Sequence, residues 1–411
     1  MHVLITAHDL YPDPGSGGTG RYVYETARRL VDRGHHVSVI TRRRGDVPAR
    51  DRIEGIDVRR YDVAIAGESA PSIAAQLPGA VAAVARAVDD LGATRGTGRG
   101  GVDVLSFQGP VTSSLAHLAA DGGIPRTCTF HSPWPTEYRI RAGHEATIGP
   151  TRRRLNARLR RAIEARVLDA CDDVVTLSGF MADELRRVYG AGTASPTVVP
   201  GGVDTDRYSP NAGPFDPMDT ADGVSLLTVR RLSPRMGHGI LLEAFARVRE
   251  RHPDAELYVA GDGPLRAELE EAAGRLGVGG ATTFLGYVPD ADLPAVYASA
   301  DVFVLPTLRL EGFGLATLEA LASGTPVVGT AVGGTVEILA EYADGAAAPA
   351  DPLVPEPTVD ALAEAMADWA ALSPEERAAA GRACRRRTEE RFTWERTVDA
   401  LEGRYEALAR P

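Results

Sequence analysis

The sequence predicts an α/β protein made of two Rossmann-like parallel-sheet domains. Three observations lead there. Short apolar runs rich in β-branched residues alternate with helical patterns along the chain, which is the signature of βαβ units. The series of strands starts afresh after residue 200, across a stretch rich in Gly, Pro, Asp and Asn. A chain of 411 residues is also too long for one hydrophobic core, so two domains are the default.

In the first half, strands are expected at His2–Thr6, His36–Thr41, near Val58–Tyr61, and at Val104–Phe107, Thr127–Phe130 and Val174–Leu177, each a short run bounded by turn residues. Between the first two, Tyr22–Arg33 reads as a helix, because Val23, Ala27 and Leu30 fall on one face. The second half repeats the scheme with Ser225–Val229, Glu256–Ala260, Thr283–Leu285, Val302–Leu305 and Pro326–Gly329. Pro200–Thr220 has little periodicity and reads as a linker, dividing residues 1–203 from 204–390. Arg95–Gly101 has the composition of a flexible surface loop. Residues 391–411 read as a helix whose Phe392, Trp394, Val398, Leu401 and Tyr405 need apolar cover, and periodicity leaves open which domain supplies it.

Composition narrows the function. Hydrophobic residues at 44% and charged residues at 25% are those of an ordinary globular protein. No apolar run approaches the roughly 20 residues of a membrane helix, and Met1–Thr6 lacks the basic start of a secretory signal, so a cytoplasmic place is expected. Cys128, Cys171 and Cys384 are odd in number and lack metal-site spacing, and they read as buried thiols. All 45 basic residues are arginine, which excludes Schiff-base lysine chemistry and a Walker-type phosphate lysine. Residues 1–200 hold 26 arginines against 22 carboxylates and residues 201–411 hold 19 against 34; with no concentrated basic face, nucleic acid is not expected as a partner.

Three segments can carry chemistry. Tyr11–Arg21 contains Gly15, Gly17, Gly18 and Gly20 before a helix, whose free N-terminal amides suit an anion or a sugar hydroxyl. Gly15, Gly17 and Gly20 satisfy G-x-G-x-x-G, but the loop begins about nine residues after the strand, and Arg42-Arg43-Arg44 stand where a dinucleotide fold places an acid, which speaks against an NAD enzyme, although an arginine there could suit NADP. The second segment follows the strand Ser225–Val229: Arg230, Arg231 and Arg235 stand where open α/β sheets bind ligands, and guanidinium groups match phosphate oxygens. The third is Arg309–Pro326, where Gly312 and Gly314 open a helix whose Phe313, Gly314 and Leu315 amides can face an anion. Glu311 stands beside them and Glu319 lies eight residues on, at the edge of an apolar environment where a carboxylate needs donors.

Glu311 and Glu319 with seven residues between them, Arg231 in its post-strand loop, and Gly333-Gly334 after Pro326 together resemble the GT-B glycosyltransferases, specifically the retaining family 4 group. Further matching stretches are Arg33-Gly34-His35-His36-Val37, Val198–Asp204, Ala260-Gly261-Asp262-Gly263-Pro264, Phe284–Val288 and Ala300-Asp301, so the resemblance covers nearly the whole chain. It implies two domains facing each other across a cleft, with the terminal helix returning to the first. It also implies transfer of a sugar from a nucleotide diphosphate sugar, a UDP-sugar before GDP-mannose, to an unknown acceptor hydroxyl without a metal ion or other cofactor.

The same resemblance assigns roles. Glu311 would contact donor-sugar hydroxyls and Glu319 the ribose; Arg231 with the amides of Phe313, Gly314 and Leu315 would hold the diphosphate; backbone groups around Tyr287 and Val288 would meet the base. His131 would close on the donor sugar, and Gly17 and Gly18 match the family's glycine loop. One departure stands out: the family often carries a lysine five residues after the arginine, and that position is Met236 here. Arg235 or Arg230 is then left to supply the second charge. An epimerase or a non-catalytic sugar-nucleotide binder of the same architecture stays open, whereas a phosphorylase would need a lysine-bound cofactor.

Two segments concern partners. In Thr151–Ala170, Arg154, Arg158 and Arg161 flank a stripe of Leu155, Leu159, Ala162 and Ile163, a pattern that serves either an ordinary core-packed helix or peripheral contact with an anionic membrane at the inner face. The aromatic residues of Ser132–Tyr138 are candidates for acceptor contact or for packing alone.

Overall fold

The computed structural model describes residues 1–63, 70–94, 101–143, 148–190, 195–218, 223–343 and 349–410. Residues 95–100 of the expected loop and 219–220 of the expected linker lie outside them. The chain divides into two compact units, Met1–Pro200 with Trp394–Pro411, and Gly201–Thr393.

In chain order the first unit runs β1 (His2–Thr6), α1 (Gly18–Asp32), β2 (His36–Arg42), β3 (Arg50–Ile53), β4 (Ile56–Tyr61), α2 (Ala70–Asp90), β5 (Val104–Phe107), α3 (Pro110–Ala119), β6 (Arg126–Phe130), α4 (Trp134–Gly143), α5 (Pro150–Asp169), β7 (Asp173–Thr176), α6 (Gly179–Tyr189) and β8 (Thr197–Val198). Its sheet has the order β3-β4-β2-β1-β5-β6-β7-β8, parallel throughout except for β3 against β4. Every residue of β1 is buried, which is why it is a continuous run without polar alternation. β3 escaped the sequence reading. It forms a hairpin with β4 across Glu54 and Gly55, both at positive φ (44° and 85°), as a tight two-residue turn requires.

The chain leaves β1 toward β2 on one side and later fills β5, β6 and β7 on the other, so right-handed crossovers put α1 on the face opposite α3 and α5. Helices α2, α3 and α5 pack side by side in that order.

The second unit contains β9 (Ser225–Val229), α7 (His238–Arg251), β10 (Glu256–Ala260), α8 (Arg266–Arg275), β11 (Thr282–Gly286), α9 (Leu293–Ala298), β12 (Val302–Leu305), α10 (Leu315–Ala322), β13 (Val327–Thr330), α11 (Thr335–Ala343), β14 (Leu353–Val354), α12 (Val359–Ala370) and α13 (Pro374–Arg391). The sheet is parallel, in the order β11-β10-β9-β12-β13-β14. Leu226, Leu242, Phe245, Leu257, Val304 and Trp369 are central to its core. Strand order reverses between β9 and β12, and such a switch point opens a crevice beyond the carboxyl ends of the strands.

The chain closes with α14 (Trp394–Ala409), which belongs to the first unit. Trp394 packs edge-on to Tyr22 of α1 with ring centroids 5.8 Å apart, Arg29 donates to Glu395 at 2.8 Å, and the Tyr405 hydroxyl shares a hydrogen bond with Ser106 at 3.1 Å.

Two local expectations need correction and a third gains detail. Helix α1 starts at Gly18, four residues before Tyr22, because Gly17 acts as its N-cap and donates its amide to the Asp9 carboxylate at 2.9 Å. Cys128 and Cys384 are buried, but Cys171 is only half-buried, its Sγ donating to the Val167 carbonyl at 3.1 Å. The described part of Pro200–Thr220 is anchored rather than free. Asp204 accepts from the amides of Asp206 and Arg207, and Arg385 of α13 donates to the carbonyls of Thr205 and Tyr208 at 3.1 and 2.9 Å.

Candidate active site

In the second unit the loops after β9, β10, β12 and β13 are locked together by backbone. The amides of Arg230 and Leu232 donate to the carbonyls of Ala260 and Asp262 (2.9 and 3.0 Å), and that of Gly334 donates to Glu311 at 2.9 Å. Two glycines permit this closeness. A Cβ at Gly261 would lie 2.0 Å from the Arg230 oxygen, and one at Gly333 2.1 Å from the Glu311 oxygen. The sequence GG at 333–334 is therefore a clamp on the Glu311 backbone.

Inside that clamp Arg230, not Arg231, reaches Glu311. The Arg230 guanidinium donates to Glu311 Oε2 at 2.5 Å and touches the Met236 sulfur at 2.9 Å, and Thr307 also donates to Glu311 Oε2 at 3.3 Å. Both charged side chains are about nine-tenths removed from solvent, at 8% and 12% exposure. Successive residues past the strand end project in opposite directions, so Arg231 is exposed, and among the described residues its guanidinium has no partner. Arg235 donates to the Leu310 carbonyl at 2.7 Å, steadying a residue held at φ 55°. His238, at the start of α7, is buried with neither ring nitrogen paired among the described residues. Burial first, and the Arg230 charge second, lower its pKa to about 4.

Phe313 is buried, and Gly314, at φ 107°, is the N-cap of α10 with no side-chain cap. Among the described residues the amides of Phe313, Gly314 and Leu315 have no acceptor, as the first amides of a helix have no intrahelical partner. One turn further along α10, Glu319 accepts from the buried Tyr297 hydroxyl of α9 at 2.8 Å. Tyr287, after β11, is 77% exposed, whereas Val288 beside it is buried. The structure thus gathers Arg230, Glu311, Phe313, Gly314 and Leu315 at the switch point, with Glu319 on the helix they open.

The first unit holds a pocket of about 260 Å³ beyond β1, β5 and β6, lined by Gly17, Gly18 and His131 as well as His8, Asp9, Gln108, Glu137 and Glu164. His131 donates from Nε2 to Gln108 Oε1 at 2.9 Å. Gln108 turns its amide to Ser106 and Thr129 (3.0 and 3.1 Å), which fixes its oxygen as the acceptor. Nδ1 of His131 is then the unprotonated nitrogen, and burial lowers the ring pKa to about 4, so the imidazole is neutral near pH 7. Glu164 of α5 accepts from the Trp134 amide at 2.8 Å and from the Tyr189 hydroxyl, while burial pushes its carboxyl up to about 7.

The sequence reading passed over His8, Asp9, Gln108 and Glu164. The first three stand within three residues of a strand end, a position that could have flagged them; nothing in the pattern of α5 marks Glu164. Among the described residues no three His, Cys, Asp or Glu side chains cluster as metal ligands, and no helix is long and apolar enough to cross a membrane.

Comparison with known proteins fits both halves. The family model described as Glycosyltransferase Family 4 matches residues 16–207, and that described as Glycosyl transferases group 1 matches residues 221–387. The D-inositol 3-phosphate glycosyltransferase of Saccharomonospora viridis is 31% identical over 411 residues, covering 96% of this chain and 90% of that protein. The GDP-mannose-dependent alpha-(1-6)-phosphatidylinositol monomannoside mannosyltransferase of Mycolicibacterium smegmatis is 31% identical over 293 residues, 64% of this chain and 75% of that one. The sucrose-phosphate synthase structure from Thermosynechococcus elongatus superposes with a TM-score of 0.78 at 24% identity, covering 99% of this chain and 98% of that one.

Proposed function

The chain belongs to the GT-B glycosyltransferases of family 4, and from that premise we propose that it moves a sugar from a nucleotide diphosphate sugar to an acceptor hydroxyl, with retention of configuration and without a metal ion. The observation that carries this reading is the buried Arg230–Glu311 pair beside the amides that open α10, which have no acceptor among the described residues.

The leaving group is a diphosphate, so negative charge grows on its oxygens as the sugar departs. Helix-terminal amides and guanidinium groups already in place stabilise that charge without reorganising. Arg231, exposed and with no partner for its guanidinium among the described residues, is one such cation. Arg230 is the second: it lies against Met236, the position where the family's lysine would stand, and it has hydrogen-bonding nitrogens beyond the one given to Glu311. Arg235 is already engaged by a carbonyl, and its part is to shape the loop. Glu311 accepts from sugar hydroxyls through the oxygen that Arg230 leaves free, Glu319 accepts from the ribose, and Tyr287 stacks on the base with Val288 beneath. His131 offers neutral Nδ1 as an acceptor for a sugar hydroxyl, with Gly17 and Gly18 giving close backbone approach. The departing phosphate takes the acceptor proton.

The donor is a UDP-sugar first and GDP-mannose second, the latter supported by the name of the mycolicibacterial relative. A phosphorylated polyol joins the acceptor candidates through the D-inositol 3-phosphate relative. The test is incubation with UDP-, GDP- and TDP-sugars, with and without EDTA, D-inositol 3-phosphate being among the acceptors. Product mass and the anomeric proton coupling are read. One donor should be consumed equally with EDTA present, giving the anomer of the donor. No release or transfer from any donor would refute the reading, loss with EDTA would refute metal independence, and the opposite anomer would refute retention.

A further inference from the structure

One surface of the first unit takes no part in that chemistry. Helix α5 carries seven arginines against two acids, and one acid, Glu164, is turned inward. The helix buries Ala157, Glu164, Val167 and Leu168. Its expected apolar stripe therefore does not pack on a core: Leu155 and Leu159, one turn apart, are 68% and 57% exposed. Arg152, Arg154 and Arg158 share the exposed side, and among the described residues none of their guanidinium groups has a hydrogen-bond or ion-pair partner. That is not the habit of this protein's surface helices, where Arg186, Arg187 and Arg275 are paired with Asp183, Glu184 and Glu271. Alongside α5, α3 leaves Leu118 72% exposed, and beyond it α2 exposes Leu77 and Val81.

We propose that this helix layer, centred on α5, docks the protein onto an anionic membrane leaflet. Leucines projecting among unpaired guanidinium groups match the boundary between lipid chains and phosphate headgroups, where the leucines leave water and the cations meet acidic lipid. A second copy of the chain fits the surface less well, because a two-fold contact would set this cationic helix against itself.

The test is flotation of the full chain with vesicles of phosphatidylcholine alone or with about one third phosphatidylglycerol. The protein should float only with the acidic vesicles and be released as salt rises. Leu155→Ser/Leu159→Ser and Arg154→Gln/Arg158→Gln should each lower the partition coefficient at least about tenfold. Both leave the melting temperature unchanged, since the side chains are exposed. Leu276→Ser, on an exposed site of the second unit, should float like the parent. The proposal is overturned by absence of flotation, by equal binding to neutral and acidic vesicles, or by both double variants floating like the parent. It is equally overturned if the leucine variant instead abolishes a dimer seen by light scattering of the parent.

Discussion

Replacing Arg230 by Met tests the proposed diphosphate site most directly. The substitution keeps an unbranched chain of similar reach and removes a guanidinium that is 8% exposed and bonded to Glu311. A charged hydrogen bond is worth about 1.5–3 kcal/mol, so losing it from the diphosphate should weaken nucleoside diphosphate binding roughly 10- to 150-fold. Glu311 also loses a partner and keeps, among the described residues, only Thr307, a cost of about 1–3 kcal/mol in unfolding free energy. The two effects separate in one set of variants. Titration calorimetry is run with the nucleoside diphosphate of the accepted donor, beside thermal unfolding, on Arg230→Met, Glu311→Gln and the double variant. Glu311→Gln should leave nucleoside diphosphate affinity within about threefold and lower turnover, because it faces the sugar; the double variant should regain stability but not affinity. Arg230→Met/Met236→Lys should recover most of the lost affinity, since a lysine then reaches the vacated place, whereas Met236→Lys alone sets an ammonium against Arg230 and destabilises. If Arg230→Met binds the nucleoside diphosphate as tightly as the parent, Arg230 is not a phosphate ligand and the reasoning fails.

Other outcomes follow from the same geometry. Glu164 has its folded pKa raised from 4.5 to about 7, so the folded state binds the extra proton and stability falls as pH rises from 4.5 to 7. Glu164→Gln should remove up to about 3 kcal/mol of that slope, its melting-temperature advantage appearing between pH 5 and 8, and parallel profiles would contradict it. Gly333→Ala would force a Cβ against the Glu311 carbonyl at a φ of 69°; it should cost about 1–3 kcal/mol and most of the turnover while the first unit's unfolding is unmoved. Tyr405→Ala empties a site only 2% exposed beneath β5, and a loss of about 3–5 kcal/mol confined to the first unit's transition is expected by calorimetry.

The strand ladder was legible because strands buried in parallel sheets must be short continuous apolar runs, and β1, β9 and β12 are such runs. Glu311, Phe313, Gly314 and Glu319 were legible because glycine placement and helix start are local chemistry. What local chemistry cannot supply is direction. Arg230 and Arg231 are identical and adjacent, and only the register of β9 against β12 decides that the first meets Glu311 while its neighbour faces solvent. Leu155 and Leu159 obey helical periodicity on whichever face is buried; packing of α5 on α3 and α4 selected the side bearing Glu164 and Val167 and left the leucines outside. The sequence by itself thus determined which elements form and which residue types stand at their ends. The tertiary structure decided which of two equivalent side chains enters the site, because burial is a property of neighbours brought from far along the chain.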